Sequence, residues 1–435
     1  MAAFRAFAQT QWPDRSSRAA SSAGARGPAG TRSSQDLERP RHFLFISGPF
    51  GAFTRRVAAE LRGCGARCSR VLLNGGDVLD WGLRHGRAFR GGYDDWTAWL
   101  SDLIAREGIT DLILYGDSHP YCAAAKALAG MHGVAVHVLE QGYFRPFWIT
   151  LEKNGVNAHS ELPRDPAAYR GAAVDPPAAA QWLPPLTPPA VFRIFFYHAA
   201  LLLGSPLFPR YRLPYQVPFL RQAGGHIVRY ARQRLSRRRR RAELRSFLDR
   251  SGPVFIGVLQ RPGDSQLVRH SPFNSSAEFI DRVVESFAQE APSNARLVFK
   301  SHPLDHGLEQ HGESMRRSAK RRGVPDRVYF ADQGDLIEIL AEASGVVTVN
   351  STAGLAAIEQ GVPTTVMGSA IYDIEGLTHQ GELDLFWRTP QAPDPTLFEA
   401  FRNVVIARTQ INGAYATRKG VDMAAPETAR RLLAA

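Results

Sequence analysis

Residues 111–142 read DLILYGDSHPYCAAAKALAGMHGVAVHVLEQG. Asp111–Tyr115 is a β-rich run that ends in Gly116-Asp117. Cys122–Met131 has helical spacing, and Val134–Leu139 is a second β-rich run that ends in Glu140-Gln141-Gly142. Strands that alternate with helices imply a parallel sheet covered by helices on both faces. In such sheets ligands bind beyond the carboxyl ends of the strands. Asp117 and Glu140 therefore stand where chemistry is expected.

The same grammar extends both ways. Upstream, His42–Ile46 is a strand, Ser47-Gly48-Pro49-Phe50-Gly51 a turn, and Phe53–Leu61 an amphipathic helix closed by Gly63. Val71–Asn74 reads as a strand running into Gly75-Gly76-Asp77, and Trp96–Ala105 as a helix stopped before Gly108. Pro163–Pro189 is rich in Pro and Ala and reads as a linker. Alternation resumes at Pro253, with strands at Val254–Leu259, Arg296–Lys300, Arg327–Phe330, Gly345–Val349 and Val362–Met367. Helices are expected at Ala277–Ala288, Leu336–Glu342 and from the Asn350–Gly354 turn to Gln360. The expected architecture is α/β, with two Rossmann-like domains facing a cleft. Its boundaries are a disordered extension (1–40), an N-terminal acceptor and catalytic domain with linker (41–190), and an apolar plus basic segment (191–250). A nucleotide-sugar domain (251–400) and a helical C-terminal segment (401–435) complete it.

Composition narrows the class. The chain has 435 residues, 44% apolar, 22% charged and 10% aromatic, which excludes collagen-like, coiled-coil and wholly disordered chains. Cys64, Cys68 and Cys122 are too few for a disulfide framework and suggest a reducing compartment. No His or Cys set near Cys64 and Cys68 completes a zinc site, so no metal is expected. The net charge of +12 is concentrated: Arg210–Arg250 holds thirteen Arg against Glu243 and Asp249. Outside that segment and the first forty residues the balance is about −2. The basicity belongs to one segment and does not mark a nucleic-acid-binding fold. The longest apolar stretch, Ile194–Pro209, contains His198 and breaks at Gly204-Ser205-Pro206, short of a membrane span. Met1–Thr10 lacks the apolar core of a secretory signal, though an organellar transit peptide would resemble the Arg- and Ser-rich start.

Asn350-Ser351-Thr352 lies between a buried-looking strand and a helix, a natural phosphate site at a helix N-terminus. A simple N-cap would use the same residues. No P-loop Lys accompanies it, which argues against ATP hydrolysis. His302-Pro303, after a strand of the same half, offers a donor to a phosphate or ribose, or is an ordinary surface turn. Asp117 and Glu140 make a carboxylate pair able to act as nucleophile and acid/base at a sugar, or merely cap their loops. Arg145 can grip a sugar carboxylate in bidentate fashion, or tie its own loop by an ion pair. Asp77 is a further sugar or acceptor candidate. Arg229–Arg241 contains the run Arg237, Arg238, Arg239, Arg240, Arg241. With the preceding Phe- and Leu-rich stretch it points to an anionic membrane surface, against the plain alternative of a solvated helix face. No aromatic interleaving or known nucleic-acid module accompanies it.

An ordered series of short motifs carries a resemblance. It runs Ser47–Gly51, Asn74–Asp77, Gly116-Asp117…Pro120-Tyr121, Glu140–Pro146, Trp148–Glu152, Gly155–Asn157 and Leu162–Asp165. It continues through His270–Phe273, Lys300–Pro303, Val349–Thr352, Ile371–Asp373 and Thr409–Gly413. Together, over roughly Arg41–Ala414, the chain resembles the bacterial capsular polysaccharide biosynthesis/export family, KpsS-like. The resemblance implies a GT-B variant and a retaining β-Kdo glycosyltransferase. Its donor substrate would be CMP-Kdo, with no cofactor or metal, and its acceptor a phosphatidylglycerol-type lipid at the inner face of the cytoplasmic membrane. It implies that His302-Pro303 and Ser351-Thr352 hold CMP. Related sequences often carry two acids where this chain has Glu140-Gln141, which leaves Asp117 and Glu140 as carboxylates with unassigned roles. Rival readings are a non-catalytic capsule assembly or export factor and a GT-B enzyme that uses a UDP-sugar; other capsule assembly proteins are further candidate partners.

Overall fold

The computed structural model describes residues 40–172, 174–183, 188–212, 219–261, 267 and 270–435. The expected N-terminal extension, apart from Pro40, lies outside them. Residues 41–435 form one compact unit.

The N-terminal half contributes strands β1 (His42–Phe45), β2 (Arg67–Leu72), β3 (Gly86–Ala88), β4 (Asp111–Tyr115), β5 (Ala135–Gln141) and β6 (Trp148–Lys153). The second half contributes β7 (Val254–Val258), β8 (Arg296–Lys300), β9 (Val328–Ala331), β10 (Gly345–Thr348) and β11 (Thr364–Val366). A last strand, β12 (Gln410–Asn412), returns to the first sheet. The described residues thus build a sheet ordered β12-β6-β5-β4-β1-β2-β3 and a second ordered β11-β10-β7-β8-β9. Within each, the strand order reverses beside an interior strand, β1 in the first sheet and β7 in the second, which opens a crevice at the carboxyl ends.

The period-two pattern of β1 shows why the sheet is covered on both faces. Phe43 and Phe45 pack with Val57 and Leu61 of helix Phe53–Gly63 and with Ala425 and Leu432 of helix Arg418–Ala434. Leu44 and Ile46 point the other way, into helices Trp96–Glu107 and Pro120–His132. Both of those helices end at a glycine in the left-handed region, Gly108 (φ 62°) and Gly133 (φ 64°). In the second sheet Phe255 and Ile256 divide between opposite cores in the same manner.

Three expectations are corrected. The first sheet is not all parallel: β6 pairs antiparallel with β5, and β12 antiparallel with β6. The expected strand Val71–Asn74 begins earlier, at Arg67, because the mid-strand charge of Arg70 is buried and paired with Asp77. The supposed linker is partly packed, since the short helix Ala167–Arg170 buries Tyr169 against Phe401. The C-terminal segment is largely helical, as expected, and packs against both halves. Helix Pro395–Thr409 sets Leu397 and Phe401 among Tyr143 and Leu162 of the first half and Leu355 and Ile358 of the second. From there the chain adds β12 to the first sheet.

The apolar and basic segment forms two helices, Pro188–Leu203 and Phe219–Leu248. Among the described residues no helix is long and apolar enough to cross a membrane. The first helix sits close on Gly75-Gly76. A Cβ on Gly75 would lie 2.1 Å from the Ala200 carbonyl oxygen, and one on Gly76 2.6 Å from the Tyr197 ring. Only glycine permits that approach.

Candidate active site in the cleft between the sheets

Two cavities open at the carboxyl ends of the strands, and they share a wall. The first, about 890 Å³, lies over the second sheet and is lined by Leu259, Lys300, His302, Pro303, Ser351 and Thr352. Ser351 is the N-cap of helix Thr352–Glu359, where its side chain accepts from Ala353 N–H. His302 Nδ1 accepts from Leu304 N–H at 3.0 Å, so the ring proton resides on Nε2. Burial, together with the charges of Arg145 and Arg261, lowers its pKa to about 4. His302 is therefore a neutral N–H donor at neutral pH. Lys300 is buried, and burial with the Arg229 charge lowers its pKa to about 8. Asn350 is turned aside and bonds the Gln260 side-chain amide.

The second cavity, about 750 Å³, lies over the first sheet. Loops after β1, β2 and β4 line it, with Glu140 and Gln141 at the end of β5, Arg145 beyond it, and Arg261 and Leu304 from the second half. Helix Pro188–Leu203 covers it with Ile194, Tyr197 and Leu201. Arg145 and His302 line both cavities. The shared wall is thus a guanidinium from one half and an imidazole from the other.

The two expected carboxylates stand differently. Glu140 lines the second cavity, though it lies inside β5 and not on a loop, because pairing of β5 with β6 runs on through Glu140 and Gln141. Its carboxylate accepts from Gln141 N–H at 2.8 Å. Gln141 donates to the Tyr115 hydroxyl at 2.9 Å. Asp117 lies past β4 as expected, but its side chain is wholly buried and lines neither cavity. It accepts from His159 Nδ1 at 2.7 Å, with Lys126 Nζ at 3.4 Å and Ser118 Oγ at 3.2 Å. Burial alone would raise its pKa; the bonds and charge of His159 and Lys126 outweigh it and hold Asp117 ionised. Ser118 Oγ also meets His270 Nε2 of the second half at 2.9 Å. Asp117, His159 and His270 bring three metal-type ligand atoms within 4.8 Å of one another. The Lys126 ammonium on the same Asp117 oxygen opposes a divalent cation there.

Asp77 borders the second cavity but is structural. Its carboxylate pairs with Arg70 at 2.7 Å and accepts from Leu73 N–H, Asn74 Nδ2 and the Tyr197 hydroxyl. It sits in the first turn of helix Gly75–Trp81, where an acid also complements the helix dipole. A second buried acid, Glu152, has its pKa raised by burial to about 7 while Tyr143 and Ser160 donate to it.

Arg237–Arg241 lie on helix Phe219–Leu248 away from both cavities. Arg239 and Arg240 approach Glu243, and Arg241 approaches Glu338. Arg229 of the same helix is turned inward and only 8% exposed. It bonds the loop that carries His302, a role the sequence reading missed. The signal was the stripe Gly225, Arg229, Gln233, small and polar residues four apart on an otherwise charged helix.

The profile of the family described as capsule polysaccharide biosynthesis protein matches residues 110–415. The chain belongs to the capsule polysaccharide biosynthesis family. It is 34% identical over 378 residues to the capsule polysaccharide export protein KpsS of Escherichia coli, covering 86% of this chain and 97% of that protein. It is 32% identical over 393 residues to the capsule polysaccharide modification protein LipB of Neisseria meningitidis serogroup B, covering 87% and 92%. Among solved structures, Thermosulfurimonas dismutans KpsC, described as a beta Kdo 2,7 transferase, aligns over 91% of this chain and 99% of its own with a TM-score of 0.44 and 13% identity.

Proposed function

We propose that this capsule-family chain is a retaining glycosyltransferase that moves Kdo from CMP-Kdo to a lyso- or phosphatidylglycerol-type lipid. The observation that carries the reading is the shared wall: two separate cavities meet at Arg145 and His302. A donor in the first cavity would set its phosphate at the N-terminus of helix Thr352–Glu359 and take a hydrogen bond from His302 Nε2–H. Arg145 would hold the sugar carboxylate at the junction, as a fork suited to two oxygens. Pro303 fixes the turn that aims His302.

The acceptor would enter the second cavity. The helix that covers it is two-sided: Ile194, Tyr197 and Leu201 face the cavity, while Phe192, Phe195, Phe196 and Leu203 are exposed. An exposed apolar face over an acceptor site suits a lipid met at a membrane surface, with Arg237–Arg241 drawing the protein to anionic headgroups. The proposed location is the cytoplasmic side of the inner membrane.

Retention by double displacement takes two steps. A carboxylate attacks the anomeric carbon as the bond to CMP breaks, and an acceptor hydroxyl then displaces that carboxylate and gives up its proton to a base. Glu140, on the cavity wall, is our candidate for contact with the sugar. Asp117 holds His159 and Ser118 in place behind it.

The test is a donor screen, CMP-Kdo against UDP-sugars, with lyso-phosphatidylglycerol in micelles. Release of CMP and a lipid product from CMP-Kdo alone is expected. Product from a UDP-sugar would overturn the donor assignment, and no product from any donor would favour a non-catalytic assembly factor.

A further inference from the structure

The basic helix does two things on two faces. Outward, Ile227, Tyr230 and Leu235 are exposed, along with most of the arginines. Inward, Arg229 reaches the turn that follows β8. Its Nη1 donates to the carbonyls of Pro303 (3.0 Å) and Asp305 (2.6 Å). Its Nη2 donates to Ser301 Oγ (3.0 Å) and the His302 carbonyl (3.3 Å). Nε and Nη2 both reach Asp332 Oδ1, at 2.9 and 2.7 Å. The helix backbone closes on the same loop: a Cβ on Gly225 would lie 2.4 Å from the His306 carbonyl oxygen. Four successive or near-successive residues of one loop thus converge on a single guanidinium.

A buried cation is costly unless every donor is used. A planar fork of five N–H groups can satisfy acceptors spread around it, whereas an ammonium offers three from one point. The carbonyls of His302, Pro303 and Asp305 would otherwise splay into water and take the imidazole with them. We propose that Arg229 is a positioning residue of the donor site: it sets the Ser301–Asp305 loop so that His302 Nε2 points into the donor cavity. The proposal rests on the donor-cavity reading above for its kinetic consequence, but not for its structural one.

The experiment has two readouts on Arg229→Met, Arg229→Lys and Gln233→Ala. Gln233 bonds the Asp332 carbonyl without touching the Ser301–Asp305 loop, and so reports on general loosening of the helix. Hydrogen exchange of the full-length proteins reads the loop amides directly. Kinetics with CMP-Kdo read donor KM against kcat. We expect faster exchange at residues 301–307 in Arg229→Met, with helix Ser276–Glu290 unchanged. Donor KM should rise about tenfold with kcat falling far less, and Arg229→Lys should be intermediate. Gln233→Ala should keep the wild-type KM. Unchanged loop exchange in Arg229→Met, or an equal KM rise in Gln233→Ala, overturns the proposal. Faster loop exchange with unchanged KM upholds the positioning role and overturns the donor reading of the loop. If Arg229→Met does not fold, the same comparisons are made between Arg229→Lys and wild type.

Discussion

Replacing His302 by Ala should change the acid stability of the protein as well as its chemistry. Burial and the charges of Arg145 and Arg261 lower this imidazole from its ordinary 6.5 to about 4. Between those values the unfolded chain carries a proton at His302 and the folded chain does not. Stability therefore rises with pH across this window and is lost as pH falls from about 6.5 towards 4. At about pH 5 the deficit is about 2 kcal/mol before screening, and about 1 kcal/mol once the partial exposure of the ring is allowed for. The Ala variant has no such deficit. Thermal melts of both proteins at about pH 7.5 and pH 5, at one ionic strength, isolate the term, since all other groups are common to both. Relative to wild type, the variant should gain about 2 °C on moving to the lower pH. In the same variant, loss of one neutral hydrogen bond should raise donor KM about three- to tenfold at pH 7.5. Melting curves that shift in parallel for the two proteins would refute the reasoning, because they would mean that His302 protonates freely in the fold.

Glu140→Gln keeps an oxygen for the Gln141 N–H bond but loses the charge, so turnover should fall by about a thousandfold or more with the melting temperature nearly unchanged; retained activity would remove Glu140 from the chemistry. His311 is buried, which lowers its pKa, but its hydrogen bonds to the Asp305 and Glu309 carboxylates prevail and raise it to about 9. Its contribution is full below about 6.5 and is lost as pH rises through 9, so His311→Asn should cost about 2 kcal/mol more at pH 6 than at pH 9 by urea unfolding. Gly76→Ala would drive a methyl into the Tyr197 ring; a loss of about 1–3 kcal/mol and a raised acceptor KM, with donor KM unchanged, are expected. Changing Arg237–Arg241 to Gln should weaken salt-sensitive pelleting with phosphatidylglycerol vesicles, each lipid-facing Arg being worth about 1 kcal/mol. Partial pairing of Arg239, Arg240 and Arg241 with Glu243 and Glu338 should make the loss smaller than five such contributions.

Much of the fold was legible because parallel strands are buried on both faces and read as unbroken apolar runs. Asp111–Tyr115 and Arg296–Lys300 were read to the residue. Trp148–Lys153 and Gln410–Asn412 were missed as strands, since both mix polar and apolar residues and the pairing that joins them brings together segments far apart in the chain. In the site, His302, Pro303, Ser351, Thr352, Arg145 and Glu140 were visible as polar residues at or near strand ends, and they line the two cavities. Asp77 looked the same in one dimension. Only the approach of Arg70 and Tyr197 shows that its charge is taken up inside the protein. Arg229 was hidden by its neighbours: one inward arginine among thirteen cannot be told from outward ones without knowing which face of the helix is docked.

The return of β12 to the first sheet bears on how the protein is made. Strand β6 stays an open edge, and the apolar surface around Phe43, Phe45 and Val57 stays uncovered, until Gln410–Asn412 and helix Arg418–Ala434 have left the ribosome. The first sheet, though translated first, is completed last. An N-terminal fragment ending near residue 250 would carry both an unpaired strand edge and a bare hydrophobic face, which makes it prone to aggregate. Nascent chains of this protein should therefore engage chaperones for most of their synthesis, and late truncations should harm the N-terminal half more than the half to which they are adjacent in sequence.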